Sequence, residues 1–109
     1  MELYEELMSK TRMLDASVRE LRKNGTAYAA VERDYKVLLR QECLRLRDEK
    51  MPVGLIELTC RGIPSVAKAR FDRDVAEAVY KANMEAINSL KLQMRLIEGQ
   101  LDREWRAAE

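Results

Sequence analysis

Apolar side chains and their stand-ins recur at steps of three and four residues along the last part of the chain, at Val66, Ala69, Arg73, Ala76, Tyr80, Asn83, Ile87, Leu90, Met94, Ile97, Leu101 and Trp105. That spacing gathers them on one stripe of an α-helix and predicts a helix over residues 65–106 that must pack on another helix. Two steps of this seam are polar. A polar residue at one seam position can select register or oligomer state, which is one reading of Asn83; the other is simple accommodation beside Ala82 and Ala86. Arg73 has two readings as well: an ion pair with Glu32, Asp34 or Glu42 on a facing helix, or a side chain that reaches water past Ala69 and Ala76.

From Leu3 onward an earlier seam runs at strict sevens through Leu7, Leu14, Leu21, Tyr28 and Tyr35, with Tyr4, Thr11, Val18, Gly25 and Glu32 as companions. It predicts a first helix over residues 2–49. Its stripe widens at Val31, Leu38, Leu39 and Leu46, so the second half is expected to meet more than one neighbour. Asn24-Gly25-Thr26 is ambiguous, because Asn-Gly can end a helix and Thr can begin one. Continuity fits the unbroken phase of the seam, and a break fits the residue types.

Between the two helices, Pro52 and Pro64 bracket a segment that also holds Gly54 and Gly62. Pro52 suits the first turn of a short helix through Leu55, Ile56 and Leu58, with Gly62 as its C-cap and Pro64-Ser65 opening the last helix. Val53, Leu55, Ile56, Leu58 and Ile63 are too apolar for a solvated loop, and the segment is expected to plug the end of the helix pair. The predicted helices are about 72 and 63 Å long at a rise of roughly 1.5 Å per residue. Near-equal helices joined by a short bend imply an all-α, single-domain antiparallel hairpin. Val75, Val79, Ala82 and Ala86 form a second stripe on the last helix, which a lone hairpin leaves uncovered. The expectation is self-association into a dimeric four-helix bundle or a larger ring.

Composition agrees with helices. Of 109 residues 36% are charged and 6% aromatic, with only four Gly and two Pro. The net charge of +1 gives no global reason to seek nucleic acid, an anionic membrane or an acidic partner. Locally, residues 40–73 hold eight Lys or Arg against five Asp or Glu, so the bend is the basic pole. Arg40, Arg45, Arg47, Lys50, Arg61, Lys68 and Arg70 form a candidate phosphate-binding patch, the alternative being a solvated charged face without interleaved aromatics.

Candidate chemistry is sparse. There is no histidine, and Ser9, Ser17, Ser65 and Ser89 lack a base arranged beside them, so neither a catalytic residue nor an enzyme activity is expected. Glu42, Glu77 and Glu85 could line a bundle as carboxylates do in di-iron proteins, but the Glu-x-x-His pairs of those sites are missing, so no metal or other cofactor is expected. Cys43 and Cys60, seventeen positions apart, form no zinc or C-x-x-C motif and read as reduced cytosolic thiols. Tyr28, Tyr35 and Tyr80 read as packing residues. Trp105 can pack on Leu7 and Tyr4 or stand out as a partner anchor. The chain shows neither a signal-peptide pattern nor an apolar run of membrane-spanning length, and a cytoplasmic protein without membrane contact is expected.

The run from Glu49 to Ile56, Arg61-Gly62, Arg73-Asp74, Tyr80, the run from Glu85 to Lys91 and Arg103-Glu104-Trp105 resemble small helical proteins encoded by phages and prophages of Gram-positive bacteria. The resemblance covers the last two thirds of the chain. It implies a phage accessory protein in the host cell cytoplasm and carries over no functional residues. Secreted helical hairpins with a Trp-x-Gly bend are a poorer fit, since the bend here reads Met51-Pro52-Val53-Gly54. These readings converge on a non-enzymatic interaction protein, an adaptor or inhibitor working through its bend, with a nucleic-acid-binding accessory factor as the alternative.

Overall fold

A computed structural model describes residues 2–108. Among them are three helices and no strand: α1 (Glu2–Asp48), α2 (Val53–Arg61) and α3 (Pro64–Ala108). Glu2 and Glu5 in the first turn of α1, and Arg45 and Arg47 in its last, oppose the partial charges of the helix ends. The helix continues through Asn24-Gly25-Thr26 without a break.

Two compact units make up the chain. One is Asn24–Val79; the other pairs the arm of α1 that ends at Lys23 with the arm of α3 that begins at Tyr80. Within the first, the chain runs along α1, turns through α2 and returns along α3, so that Tyr35 meets Arg73. In the second, Asn83 reaches Ser17, and Tyr4 lines the same groove as Trp105, so this pair is also antiparallel.

The predicted seam of α3 is interior at every step from Val66 to Leu101, and Ile87, Leu90 and Ile97 are buried. In α1, Leu3, Leu7, Leu14, Leu21, Tyr28 and Tyr35 are likewise interior, and of the expected companions Thr11, Gly25 and Glu32 are partly covered while Tyr4 and Val18 face outward. Lys10, Ser17, Asn24, Val31 and Leu38 are partly covered as well. The i+3 and i+4 rows flank the heptad stripe on either side, and here both contribute to the covered face.

Enclosure is greatest beside the turn. Cys60 of α2 and Val66 of α3 are fully buried, and Leu46 of α1 nearly so. The plug is one-sided: Ile56 and Cys60 turn inward while Val53, at 83% exposure, Leu55 and Leu58 face out. A nine-residue helix laid on its neighbours buries one stripe, so an apolar segment need not be a buried one.

Gly62 is the C-cap of α2, as expected, in an ordinary right-handed conformation with φ −85°, while Pro52 precedes the helix as its N-cap instead of lying in its first turn. The left-handed position belongs to Lys50, φ 62°. Its amide donates to the Arg47 carbonyl (3.0 Å) and that of Met51 to the Leu46 carbonyl (3.1 Å), the paired bonds of a Schellman stop, in which glycine is the usual residue. A lysine there carries a steric cost of about 1 kcal/mol that glycine does not. Lys50→Gly should therefore stabilise the chain by up to about 1 kcal/mol and raise its melting temperature by about 5 °C, measured by circular dichroism.

Candidate interaction surface and polar seam

The polar seam residues find partners inside the chain. Arg73, its side chain 22% exposed, donates through Nε and Nη2 to Oδ1 of Asp74 on its own helix (3.1 and 2.8 Å). Its guanidinium carbon lies 4.6 Å from the centre of the Tyr35 ring on α1. The facing-helix partner is thus an aromatic face, not one of the three carboxylates expected: Glu32 pairs with Lys36, Asp34 with Arg33, and Glu42 with Arg45. A planar cation suits this place, because it can lie over the ring while its edge serves a carboxylate. The Asp74 bond is the leading reason that the guanidinium holds its proton more tightly than usual. One step along the helix pair, the Tyr28 hydroxyl donates to Glu77; partial burial, together with the nearby Glu32 and Glu77 charges, raises the phenol's pKa.

Asn83 donates through Nδ2 to the backbone carbonyl of Ser17 (3.1 Å), a bond between elements sixty-six positions apart in sequence. The small serine side chain leaves that carbonyl approachable. The contact lies within the chain and joins the two arms of the unit to which both residues belong.

All four residues of the second stripe face outward: Val75 and Val79 in the Asn24–Val79 unit, Ala82 and Ala86 in the other. Three larger residues that sequence reasoning did not single out are exposed on the same helix. Phe71, at 66% exposure, lies one step before Val75; Leu96 lies on the three-four steps continued beyond Ala86, with Leu92 beside it. Extending the stripe in both directions would have found them.

The basic candidates are exposed, but three are engaged. Arg45 is held by Glu42 (2.7 Å) and Glu49 (2.9 Å), Arg61 by Glu57 (2.7 Å) and Lys68 by Asp72 (3.0 Å). Arg40, Arg47, Lys50 and Arg70 are also exposed. Three- and four-residue spacing within a helix brings such partners together, and each pair tempers the field that a phosphate would meet.

Trp105 does not pack down on the pair. It is 71% exposed and, with Tyr4, Leu101, Asp102, Glu104 and Ala108, lines an open groove of about 530 Å³.

The structure also brings Cys43 of α1 and Cys60 of α2 together, their thiols within hydrogen-bonding reach. Both are free; Cys43 is partly covered and Cys60 fully buried. Burial first, and Cys43 second, push the Cys60 thiol up to about 11. Motif spacing missed this pair. The available signal was that Cys60 lies four residues after Ile56, on the inner stripe of α2.

Among the described residues, no group of three or more His, Cys, Asp or Glu could hold a metal ion, and no helix is long and apolar enough to cross a membrane. No family model, curated protein or solved structure matches the chain.

Two measurements check the polar features. A double-mutant cycle of Tyr35→Leu with Arg73→Met, read by urea denaturation, should give a coupling of about 0.5–1 kcal/mol. The Cys60 thiol has its pKa raised in the folded chain, so its stabilisation is complete below the ordinary thiol value and is lost as pH rises from there through about 11. Urea midpoints at pH 8 and 10.5 should show wild type losing stability with pH and Cys60→Ala losing less, the remainder including Tyr28, which shifts in the same direction.

Proposed function

We propose that this chain is a non-enzymatic helical interaction protein that self-associates through the outward residues of α3 and, as a phage or prophage accessory protein, acts as an adaptor or inhibitor of another protein. The outward apolar side chains of α3 carry the reading, because none of them is covered by the chain's own helices. Phe71, Val75, Val79, Leu92 and Leu96 supply apolar material for such an interface, and the small Ala82 and Ala86 let a second helix approach closely.

The exposed Trp105 offers a separate anchor of the kind that carries much of the energy at protein interfaces. The phage assignment rests on the resemblance carried by the residue runs from Glu49 to Ile56 and from Glu85 to Lys91. The carboxylate partners of Arg45, Arg61 and Lys68 weigh against phosphate binding as the main role.

Sedimentation equilibrium tests the assembly: wild type should form a particle larger than 12.7 kDa, and Ala82→Glu should shift it toward that mass. A stable wild-type monomer would sink the reading. Trp105→Ala should leave the assembly intact and weaken retention of a protein from a Gram-positive host lysate about thirtyfold. Band shifts of duplex or single-stranded nucleic acid at micromolar protein and moderate salt would instead favour the basic end.

A further inference from the structure

We propose that Cys43 and Cys60 form a reversible redox-modification site, in which oxidation by a low-molecular-weight disulfide closes an intrachain disulfide that staples α2 to α1. The inference is independent of the interaction reading, because both thiols lie on inward-facing parts of the Asn24–Val79 unit and neither belongs to the outward stripe of α3.

Three observations carry it. The thiols come from different helices and lie within hydrogen-bonding reach, so forming the bond requires no rearrangement of distant segments. They differ in access: Cys60 is fully enclosed, while Cys43 is partly open and is the thiol an oxidant meets first. Sixteen residues separate them, including the left-handed Lys50 and Pro52, and closing that loop restrains the unfolded chain. Burial keeps Cys60 protonated at neutral pH, so it is protected from direct oxidation. Its nearest charged neighbours, Glu42 and Arg45, act on it in opposite directions.

The chemistry is a two-step exchange. Cys43 gives its proton to solvent, and its thiolate attacks one sulfur of the small disulfide. A mixed disulfide forms, the small molecule's S–S bond breaks, and one of its halves leaves as a thiolate that takes up a proton. Cys60 then loses its proton and attacks the Cys43 sulfur, expelling the second half, which is also protonated. Two protein S–H bonds become one S–S bond, and the small disulfide is reduced to two thiols. Excess thiol reverses both steps. Once closed, the bond fixes the last turn of α2 against α1 and so holds the outward face of Val53, Leu55 and Leu58 in place.

The test uses the full chain and oxidised glutathione, with mass spectrometry after quenching in acid. The expected product has lost about 2 Da, keeps no glutathione and yields a peptide linking Cys43 to Cys60. Its melting temperature should rise by several degrees, on the order of 10 °C, and fall back on addition of a reducing thiol. Cys60→Ala, checked for helicity by circular dichroism, should trap glutathione on Cys43, and folded Cys43→Ser should take up none on Cys60. The proposal is overturned if wild type retains the adduct on Cys43, if the chains cross-link to one another, or if both cysteines remain fully alkylatable after oxidation.

Discussion

A helix packed on one neighbour covers a single stripe of its surface, and most features of this chain follow from how few stripes its own three helices can cover. Along the arms where only two helices meet, seam leucines and isoleucines reach low exposure, as at Ile87, Leu90 and Ile97, but are not sealed. Full enclosure occurs at Cys60 and Val66, where α2 supplies a third wall. The remaining apolar side chains of α3 have no such wall. Burial of apolar surface is the main favourable term in folding, and it is this uncovered apolar surface on α3 that the proposed self-association would bury.

Against that narrow core, the polar seam residues add directional contacts to an otherwise apolar stripe. A typical hydrogen bond such as the one from Asn83 to Ser17 contributes about 1 kcal/mol, and an Arg-aromatic contact about the same. A slip by one heptad would carry Arg73 opposite Tyr28 or Glu42, either of which still offers it a partner. Arg73 alone therefore discriminates weakly. Asn83 would move opposite Lys10 or Asn24, whose longer side chains cover their carbonyls more than serine does, and its amide would lose an easy acceptor. A polar group that needs a backbone acceptor is thus more sensitive to a slip than one that can choose between aromatic and carboxylate partners.

The same reasoning separates what was legible in the sequence from what was not. Periodicity located the α3 seam from Val66 to Leu101 because a stripe of low exposure needs only that spacing. In α1 it placed the companions Thr11, Gly25 and Glu32 on the covered side, but it could not say that Ser17, not Val18, lies at the contact, which depends on the partner's position. The outward stripe of α3 was half visible: Val75, Val79, Ala82 and Ala86 stand out by spacing, while Phe71, Leu92 and Leu96 escape a search confined to small residues. The helix stop at Lys50 was hidden by its residue type, since lysine at a left-handed position gives no turn signal. Arg73 was legible by charge, and its aromatic partner was not, because a pairing across helices leaves no trace in local spacing.

Cysteine spacing was uninformative for a related reason: motifs record pairs that close short local loops, whereas Cys43 and Cys60 meet only because α2 folds back on α1. That placement has a physical consequence. The fully enclosed side chains mark the part of the chain where a displaced atom finds least room to relax, so a covalent change there acts on packing directly. The outward stripe of α3 is open to solvent and responds instead to what covers it. The disulfide proposed at the turn and the association proposed on α3 would therefore act on different side chains. They are coupled only as far as the helices transmit strain, and a thin, incompletely sealed seam transmits less of it than a dense core.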